Sequence, residues 1–220
     1  GYAQRAAVNA GLLLRLPDGW SFEQGAAVPE VWLTAFLNLF IEGGLAKGQS
    51  VLIHAGASGV GTAAIQMARA AGAAVFATAG SDAKLERCRE LGAALAINYR
   101  SRDFAAEILA HTKRSGVNLV LDPVGGPHLE RNLKVLAPGG RLVNIGLMGG
   151  SRAEIDLGLV VLDSARLDAH GRMDEHAVAF EFTSQGDQER QLPGFRGRVG
   201  VAGAYEADQR TWRGRLEESS

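Results

Sequence analysis

Cysteine is nearly absent from this chain, since Cys88 is the only one among 220 residues. A single thiol cannot build an internal disulfide framework or a cysteine-rich zinc lobe. An excess of charge of one sign is also lacking, because 23 lysines and arginines face 24 aspartates and glutamates. Without a basic excess or cluster, there is no electrostatic reason to expect nucleic acid as a partner.

Long apolar runs are lacking as well. No run approaches the roughly 20 residues that a membrane-spanning helix needs, and the first residues do not have the layout of a secretory signal. We therefore predict a cytoplasmic protein without a membrane partner. The chain begins at Gly1 without a methionine, which we interpret as the mark of a fragment.

Glycine, in contrast, is plentiful, with 29 residues, and it is concentrated in the stretch "HAGASGVGTAA" at residues 54–64. Gly56, Ser58 and Gly61 have the spacing G-x-G-x-x-G with serine in the middle place. An apolar run at 51–55 precedes them, and a helical pattern follows. In such a strand-to-helix turn, the first glycine permits the tight turn and the last lets the helix pack against the strand.

The start of that helix is a candidate anion site. Free backbone amides and the helix dipole favour a pyrophosphate there, and the serine hydroxyl could donate to it. We therefore expect a dinucleotide to contact Gly56, Ala57, Ser58, Gly59, Val60 and Gly61. The alternative is close packing of strand and helix without any ligand, which glycine turns also serve.

Strands and helices alternate along the first 150 residues. Short apolar runs at 51–55, 73–79, 95–99, 117–122 and 140–147 predict five strands, and helical patterns lie between them. Another helical pattern begins at Pro29 and ends at Gly43. This alternation predicts an α/β fold with a doubly wound parallel Rossmann sheet.

A serine hydrolase is the remote alternative, with Ser58 as nucleophile. Asp122 and His128 follow in the hydrolase order. The nucleophile elbow requires G-x-S-x-G, however, and Val60 stands where the last glycine belongs. Reaction with a serine-directed phosphonate would reveal such an enzyme.

Five motifs together resemble one family: "PEVWLTAF", "VLIHAGASGVGTAAIQMARAAGA", "ATAGSDAKLERCRELGA", "INYRSRDF" and "GRLVNIGLMGG". They are similar to the zinc-independent quinone oxidoreductases of the medium-chain dehydrogenase/reductase superfamily, in its zeta-crystallin-like branch. The resemblance covers residues 1 to about 160. It implies electron or hydride transfer from NADPH to a quinone or a related conjugated carbonyl, no metal, and a homodimer.

The resemblance also implies a division of the chain. Residues 1–28 would be the remnant of a GroES-like β domain that carries the catalytic cleft, and 29–160 would be the Rossmann domain that binds NADPH. Residues 161–220 are expected to form a divergent, irregular and flexible C-terminal region, where Asp168 and His170 interrupt an apolar strand of the family. A fragment and an altered reading frame after about residue 160 are the two hypotheses for this departure.

The resemblance places further residues near the nicotinamide. Thr34 would lie beside the ring, although a threonine that bonds to the preceding helical turn is the alternative. Gly146, Leu147 and Met148 are expected to end the fifth strand and to line the pocket, because the carboxyl ends of parallel strands face the ligand. No side chain stands out as a general acid or base, so we assign no catalytic residue, and the cofactor supplies the chemistry.

The end of the second strand favours NADPH over NADH. An NAD-specific fold places an acidic residue there, whereas this strand ends at Gly80 without charge. Ser81 begins a helix whose amides suit a 2′-phosphate, Lys84 can pair with it, and Tyr99 matches a tyrosine of the family. Asp82 is the counter-argument, since it could bind a ribose hydroxyl instead.

Other titratable residues are interpreted as structural. His54 lies within the first strand, and Cys88 is expected to be a half-buried small hydrophobe in a helix. His170 and His176 lack the further ligands that a closed metal shell needs, so we predict no metal.

A second class of function stays open, namely an NADPH-binding module without turnover. The resemblance implies an acceptor pocket between two domains, and we expect residues 1–28 to supply only a small part of one of them. We therefore expect the chain to bind NADPH better than it catalyses.

Overall fold

The computed structural model describes residues 3–154 in full. Beyond them it describes the backbone of four strands, Arg166–Ala169, Phe180–Phe182, Arg198–Glu206 and Thr211–Ser219. The predictions for His170 and His176 lie outside the described residues, as does most of the region 161–220. The flexibility expected for that region therefore stays a prediction.

Six parallel strands form the main sheet. They are β1 (Ser50–Ile53), β2 (Ala74–Ala79), β3 (Leu95–Asn98), β4 (Val117–Asp122), β5 (Leu136–Asn144) and β6 (Arg166–Ala169). Their order is β3-β2-β1-β4-β5-β6, which is the order of a doubly wound dinucleotide-binding sheet. The predicted Rossmann-like α/β fold is confirmed. The sixth strand falls in the region expected to be divergent, where Asp168 pairs with Val143 of β5.

Helices cover both faces of this sheet. The short α1 (Phe22–Ala26) and α2 (Val31–Phe36) precede the first strand. The four helices that connect successive strands are α3 (Gly59–Ala70), α4 (Asp82–Leu91), α5 (Phe104–His111) and α6 (Gly126–Val135). They divide into two pairs, because α3 and α4 pack with one hydrophobic cluster and α5 and α6 with the other.

The alternation of side chains along β1 creates these two clusters. Val51 and Ile53 belong to the cluster under α3 and α4, whereas Leu52 belongs to the cluster under α5 and α6. All three are fully buried. Because successive residues of a strand face opposite sides, a strand covered on both sides must be apolar throughout. This explains the continuous apolar run in the sequence.

Two element boundaries differ from the predictions. The first helix does not continue as an α-helix to Gly43, because residues Leu37–Glu42 form a π-helix. A Cβ on Gly43 would lie 2.7 Å from a methyl carbon of Leu119, so the helix ends in contact with β4. The fifth strand begins at Leu136 rather than near 140, and its register against β4 shifts between Val117 and Leu119.

The segment before α2 carries exposed apolar side chains. Val8, Leu12, Leu13, Leu14 and Phe22 are each more than half exposed. Ser21 and Gln24 form a capping box at the start of α1, which gives this short helix a defined beginning. The assignment of residues 1–28 to a GroES-like domain stays a prediction.

The remaining strands form a separate antiparallel sheet. They are β7 (Phe180–Phe182), β8 (Arg198–Glu206) and β9 (Thr211–Ser219), in the order β7-β8-β9. Within the described residues, none of the helices has the length and apolarity required to cross a membrane.

Candidate functional site

The turn between β1 and α3 has free hydrogen-bond donors. Ser58 is the N-cap of α3, and its Oγ accepts a hydrogen bond from the Gly61 amide at 3.0 Å. In residues 3–154, the amides of Gly59 and Val60 donate to no protein acceptor. Unpaired amides at the start of a long helix form an anion site, as predicted for this turn.

Two glycines of this turn, Gly56 and Gly61, have no room for a side chain. A Cβ on Gly56 would lie 2.9 Å from both the Ala77 Cβ and the Cys88 Sγ, and a Cβ on Gly61 would lie 2.8 Å from the Gly56 Cα. The left-handed backbone falls on Ala55, with φ of 50°, rather than on Gly56. Gly56 is therefore required by close packing and not by its own backbone angle. Cys88 is fully buried in this contact, rather than half-buried as the sequence predicted.

Helix α2 packs against the same turn. A Cβ on Gly59 would lie 2.7 Å from a methyl carbon of Val31, so the Val31 side chain packs directly against the backbone of the turn. Thr34 lies one turn further along α2 and is half-buried. Its side chain forms no hydrogen bond in the described chain, so the expected alternative, a bond to the preceding turn, is absent. The Thr34 hydroxyl thus has its donor and acceptor capacity available to a ligand.

The end of β2 meets the segment after β3. A Cβ on Gly80 would lie 3.0 Å from the Tyr99 hydroxyl and 3.1 Å from the Arg100 Nε. Lys84 is exposed on the first turn of α4 and belongs to none of the ion pairs in the described chain. Asp82, the counter-argument to NADPH, accepts a 3.4 Å hydrogen bond from Asn98. Ser81 caps α4 without a side-chain hydrogen bond.

The segment after β5 is attached to the loop after β4. The amides of Met148 and Gly149 donate to the carbonyls of Pro123 and Val124 at 3.1 and 2.8 Å, and the Gly126 amide donates to Gly150 at 2.9 Å. Gly146 is half-buried, whereas Leu147 and Met148 are 52% and 71% exposed. The three predicted residues therefore lie at the carboxyl edge of the sheet in a segment that is fixed through its backbone.

A chain of buried polar side chains lies beneath this edge. The His54 ring nitrogens contact the Thr78 Oγ1 at 2.8 Å and the Asn132 Oδ1 at 2.7 Å. Asn132 donates through Nδ2 to the Asp122 Oδ2 at 2.9 Å. The sequence indicated a structural histidine at position 54, which agrees with the burial of His54, but Asn132 was missed.

Burial shifts the pKa of three groups in this region. Desolvation raises the pKa of Asp122 to about 6, although amide hydrogen bonds from Val124 and Gly125 oppose that shift. Burial is the main cause that lowers the pKa of His54 to about 3 and that of His128 to about 4. The neighbouring His128 contributes to the shift of His54, and the Arg131 charge contributes to both shifts. Both histidines are consequently neutral at pH 7, whereas Asp122 is mostly ionised.

These groups resemble a metal site only in their spacing. One donor atom each of His54, Asp122 and His128 lies within 4.8 Å of the others. Both ring nitrogens of His54 and both oxygens of Asp122 are already engaged in hydrogen bonds, whereas the buried His128 Nδ1 has no partner in the described residues. A zinc shell would have to break these bonds, so the donors do not fit a metal.

The hydrolase alternative gains no support from the geometry. Asp122 directs its carboxylate to Val124, Gly125 and Asn132 rather than to His128. A triad requires the acid to orient the histidine that activates the serine. The described residues therefore do not form a triad around Ser58.

Comparison with protein families and curated sequences places this chain among oxidoreductases. The sequence model of the family described as zinc-binding dehydrogenase matches residues 59–180. A highly reducing polyketide synthase of Emericella nidulans is 43% identical over 149 residues, which cover 66% of this chain and 6% of the synthase. A phenolphthiocerol/phthiocerol polyketide synthase of Mycobacterium tuberculosis is 40% identical over 153 residues, which cover 70% of this chain and 7% of that synthase chain. The chain thus spans 6–7% of the length of these relatives.

Solved structures show a similar fold. The quinone oxidoreductase of Thermus thermophilus, also solved in complex with NADPH, has a TM-score of 0.68 and 38% identity, and the match covers 76% of this chain and 53% of that chain. The CurK enoyl reductase has a TM-score of 0.62 and 37% identity, and the match covers 71% of this chain and 46% of the reductase chain. Quinone reductases and enoyl reductases are therefore both among the structural neighbours.

The buried groups make the stability of the fold depend on pH. Because the two histidines have lowered pKa values, they contribute stability above pH 6.5, and this stability is lost as the pH falls. Asp122 acts in the opposite direction, because its raised pKa contributes stability at low pH that is lost as the pH rises through 6. Near pH 5 the unfolded chain binds about one more proton at these groups than the native chain. The free energy of unfolding should therefore fall by about 1 kcal/mol for each unit of acidification between pH 6 and 4.

Urea denaturation at several pH values checks this expectation. The quantity to compare is the slope of the free energy of unfolding against pH. Asp122→Asn should roughly double the part of this slope that the three groups cause, because Asp122 opposes the two histidines. His54→Gln should bring that part close to zero. His111→Asn is the control, since His111 is exposed on α5. Equal slopes in the wild type and all three variants would contradict the assignment.

Proposed function

Since this chain belongs to the zinc-binding dehydrogenase family, we propose that it is the NADPH-binding part of a reductase that acts on double bonds conjugated to a carbonyl. The observation that carries the proposal is the turn of residues 55–61, where the Gly59 and Val60 amides have no acceptor within residues 3–154 and the glycines let the turn pack closely against its neighbours. The donors suit an anion, and a dinucleotide presents its pyrophosphate to such a turn.

The turn after β1 would bind the pyrophosphate, and the carboxyl end of β2 would bind the 2′-phosphate. The amides of Gly59 and Val60 and the Ser58 hydroxyl would hold the pyrophosphate. Gly80 lets the Tyr99 hydroxyl and the Arg100 guanidinium lie close to the end of β2, where both could donate to a 2′-phosphate, and Lys84 supplies a positive charge without a competing ion pair in the described chain. This arrangement supports NADPH, because no carboxylate at the end of β2 repels the additional phosphate.

The nicotinamide end would lie between α2 and the segment after β5. Thr34 offers a free hydroxyl to the ring or to a carbonyl of the acceptor, and the backbone of Gly146, Leu147 and Met148 forms the opposite wall. Bound NADPH supplies a hydride to the acceptor, so the protein needs to orient the two molecules and exclude water. We assign no side chain of this chain as a general acid or base.

The acceptor class is argued from the relatives. The curated relatives are polyketide synthases, and an enoyl reductase is among the solved neighbours. An enoyl thioester is therefore the first candidate. A quinone is the second, favoured by the quinone oxidoreductase neighbours. Both are conjugated carbonyl compounds that accept a hydride.

The second candidate class, a binding module without turnover, makes a different prediction. The proposed cofactor contacts all lie within residues 31–150, whereas the acceptor cleft that the family resemblance implies involves a second domain. A sample that binds NADPH and reduces neither acceptor favours the module, and turnover excludes it.

Lys84 tests the preference for NADPH. We expect Lys84→Ala to weaken NADPH binding by about tenfold and to leave NADH binding unchanged, because one charge-assisted contact to the 2′-phosphate is lost. Calorimetric titration with both cofactors measures the effect. Arg87→Ala is the matched control, since Arg87 is exposed on the same helix and pairs with Glu90. Equal affinity of the wild type for NADPH and NADH would refute the predicted preference.

Acceptor choice is tested by NADPH oxidation with crotonyl-coenzyme A and with phenanthrenequinone at equal concentrations. We expect faster oxidation with the enoyl thioester, and Thr34→Val should slow the reaction by about tenfold if its hydroxyl orients the reactants. Thr34→Ser, which retains the hydroxyl, is the control. Faster reduction of the quinone would instead establish the second candidate acceptor.

A further inference from the structure

The buried polar chain links two parts of the candidate site that are far apart in sequence. His54 follows β1, Thr78 lies in β2, Asp122 ends β4 and Asn132 lies in α6. None of the four side chains is more than 1% exposed. Buried polar groups are costly unless they are paired, so a chain of four of them is a specific feature of this fold.

The direction of each hydrogen bond in this chain follows from the donors available. Asn132 donates through Nδ2 to Asp122, so its Oδ1 must accept from the His54 Nε2. A neutral imidazole has one N–H, so the His54 Nδ1 accepts from the Thr78 hydroxyl. All three bonds therefore run from Thr78 towards the carboxylate of Asp122, and each one polarises the next.

At one end, Asp122 holds the loop of residues 123–126. Its Oδ1 accepts from the Val124 amide at 2.7 Å, and its Oδ2 accepts from the Gly125 amide at 3.2 Å. The same loop binds the backbone of residues 148–150, as described above. Through this loop, the orientation of Asp122 determines the position of the segment that would line the nicotinamide.

Towards the Thr78 end of this series of hydrogen bonds, the His54 ring fixes the backbone where the turn leaves β1. The next residue, Ala55, has a φ of 50°, a conformation that costs free energy in a residue other than glycine. The His54 amide also donates to the Leu121 carbonyl at 3.0 Å, next to Asp122. The start of the pyrophosphate turn is thus held by both the side chain and the backbone of His54.

We propose that His54, Asn132 and Asp122 are positioning residues that hold the pyrophosphate turn and the nicotinamide wall in register. The inference rests on the proposed function and adds residues that would not contact the cofactor themselves. Their effect would pass through the amides of Val124 and Gly125 and through the backbone of Ala55. Intact NADPH, which spans both parts, depends on this register, whereas a ligand that occupies only the adenosine side does not.

Asn132→Leu tests the proposal, because it interrupts the series of side-chain hydrogen bonds between His54 and Asp122 and leaves the sequence of the turn and the loop unchanged. We expect about tenfold weaker binding of NADPH, because Asp122 loses the charge-assisted hydrogen bond from Asn132. The affinity for 2′,5′-ADP should be unchanged. Leu133→Ala is the matched control, since Leu133 is fully buried on the same helix and outside the polar chain. Both ligands are titrated by calorimetry at a temperature where all variants are folded.

A second pair of variants guards against failure of Asn132→Leu to fold. Thr78→Val removes the first donor and Thr78→Ser retains it, so only the former should weaken NADPH binding relative to 2′,5′-ADP. Parallel loss of both ligands, or an equal loss of NADPH in Leu133→Ala, would overturn the positioning role. A wild-type chain that binds neither ligand would refute the proposed function itself.

Discussion

Close packing of neighbouring side chains against the backbone of residues 55–61 is the constraint on which the rest of the site depends. The turn lies between β2 and α4 on one side and α2 on the other, and Gly56 and Gly59 have no space for a Cβ. Any larger residue would push the first turn of α3 away from the sheet. The amides that remain unpaired at Gly59 and Val60 are a consequence of this arrangement, since a helix that begins at the edge of the sheet has no protein acceptor in front of it within the described residues.

Two kinds of packing therefore meet at the carboxyl edge. Apolar clusters on the two faces of the sheet fix the strands, and the polar chain from Thr78 to Asp122 fixes the loops that follow them. An apolar contact is not directional, whereas a hydrogen bond sets both distance and orientation. The polar chain costs desolvation, as the shifted pKa values of His54 and Asp122 show, and in return it specifies one arrangement of the loops.

The sequence predicted the parallel sheet and the glycine turn because both depend on local patterns. Apolar runs bounded by glycine mark β1 to β5, and the spacing of Gly56, Ser58 and Gly61 marks the turn. It did not predict the π-helix of Leu37–Glu42, which completes α2 against β4 and depends on tertiary packing. Asn132 was missed although it lies on the buried face of α6 with Leu133. Its position predicts burial, but its partners come from β1 and β4, and only the folded chain brings them together.

The most direct test of a dinucleotide site at this edge is a map of the residues that respond to NADPH. Amide chemical shifts of the isotopically labelled chain, recorded by nuclear magnetic resonance during a titration, provide that map. We expect the largest shifts at Gly59, Val60 and Gly80, followed by the backbone of residues 146–148. Saturable binding with shifts confined to other surfaces, or no shifts at all, would contradict it.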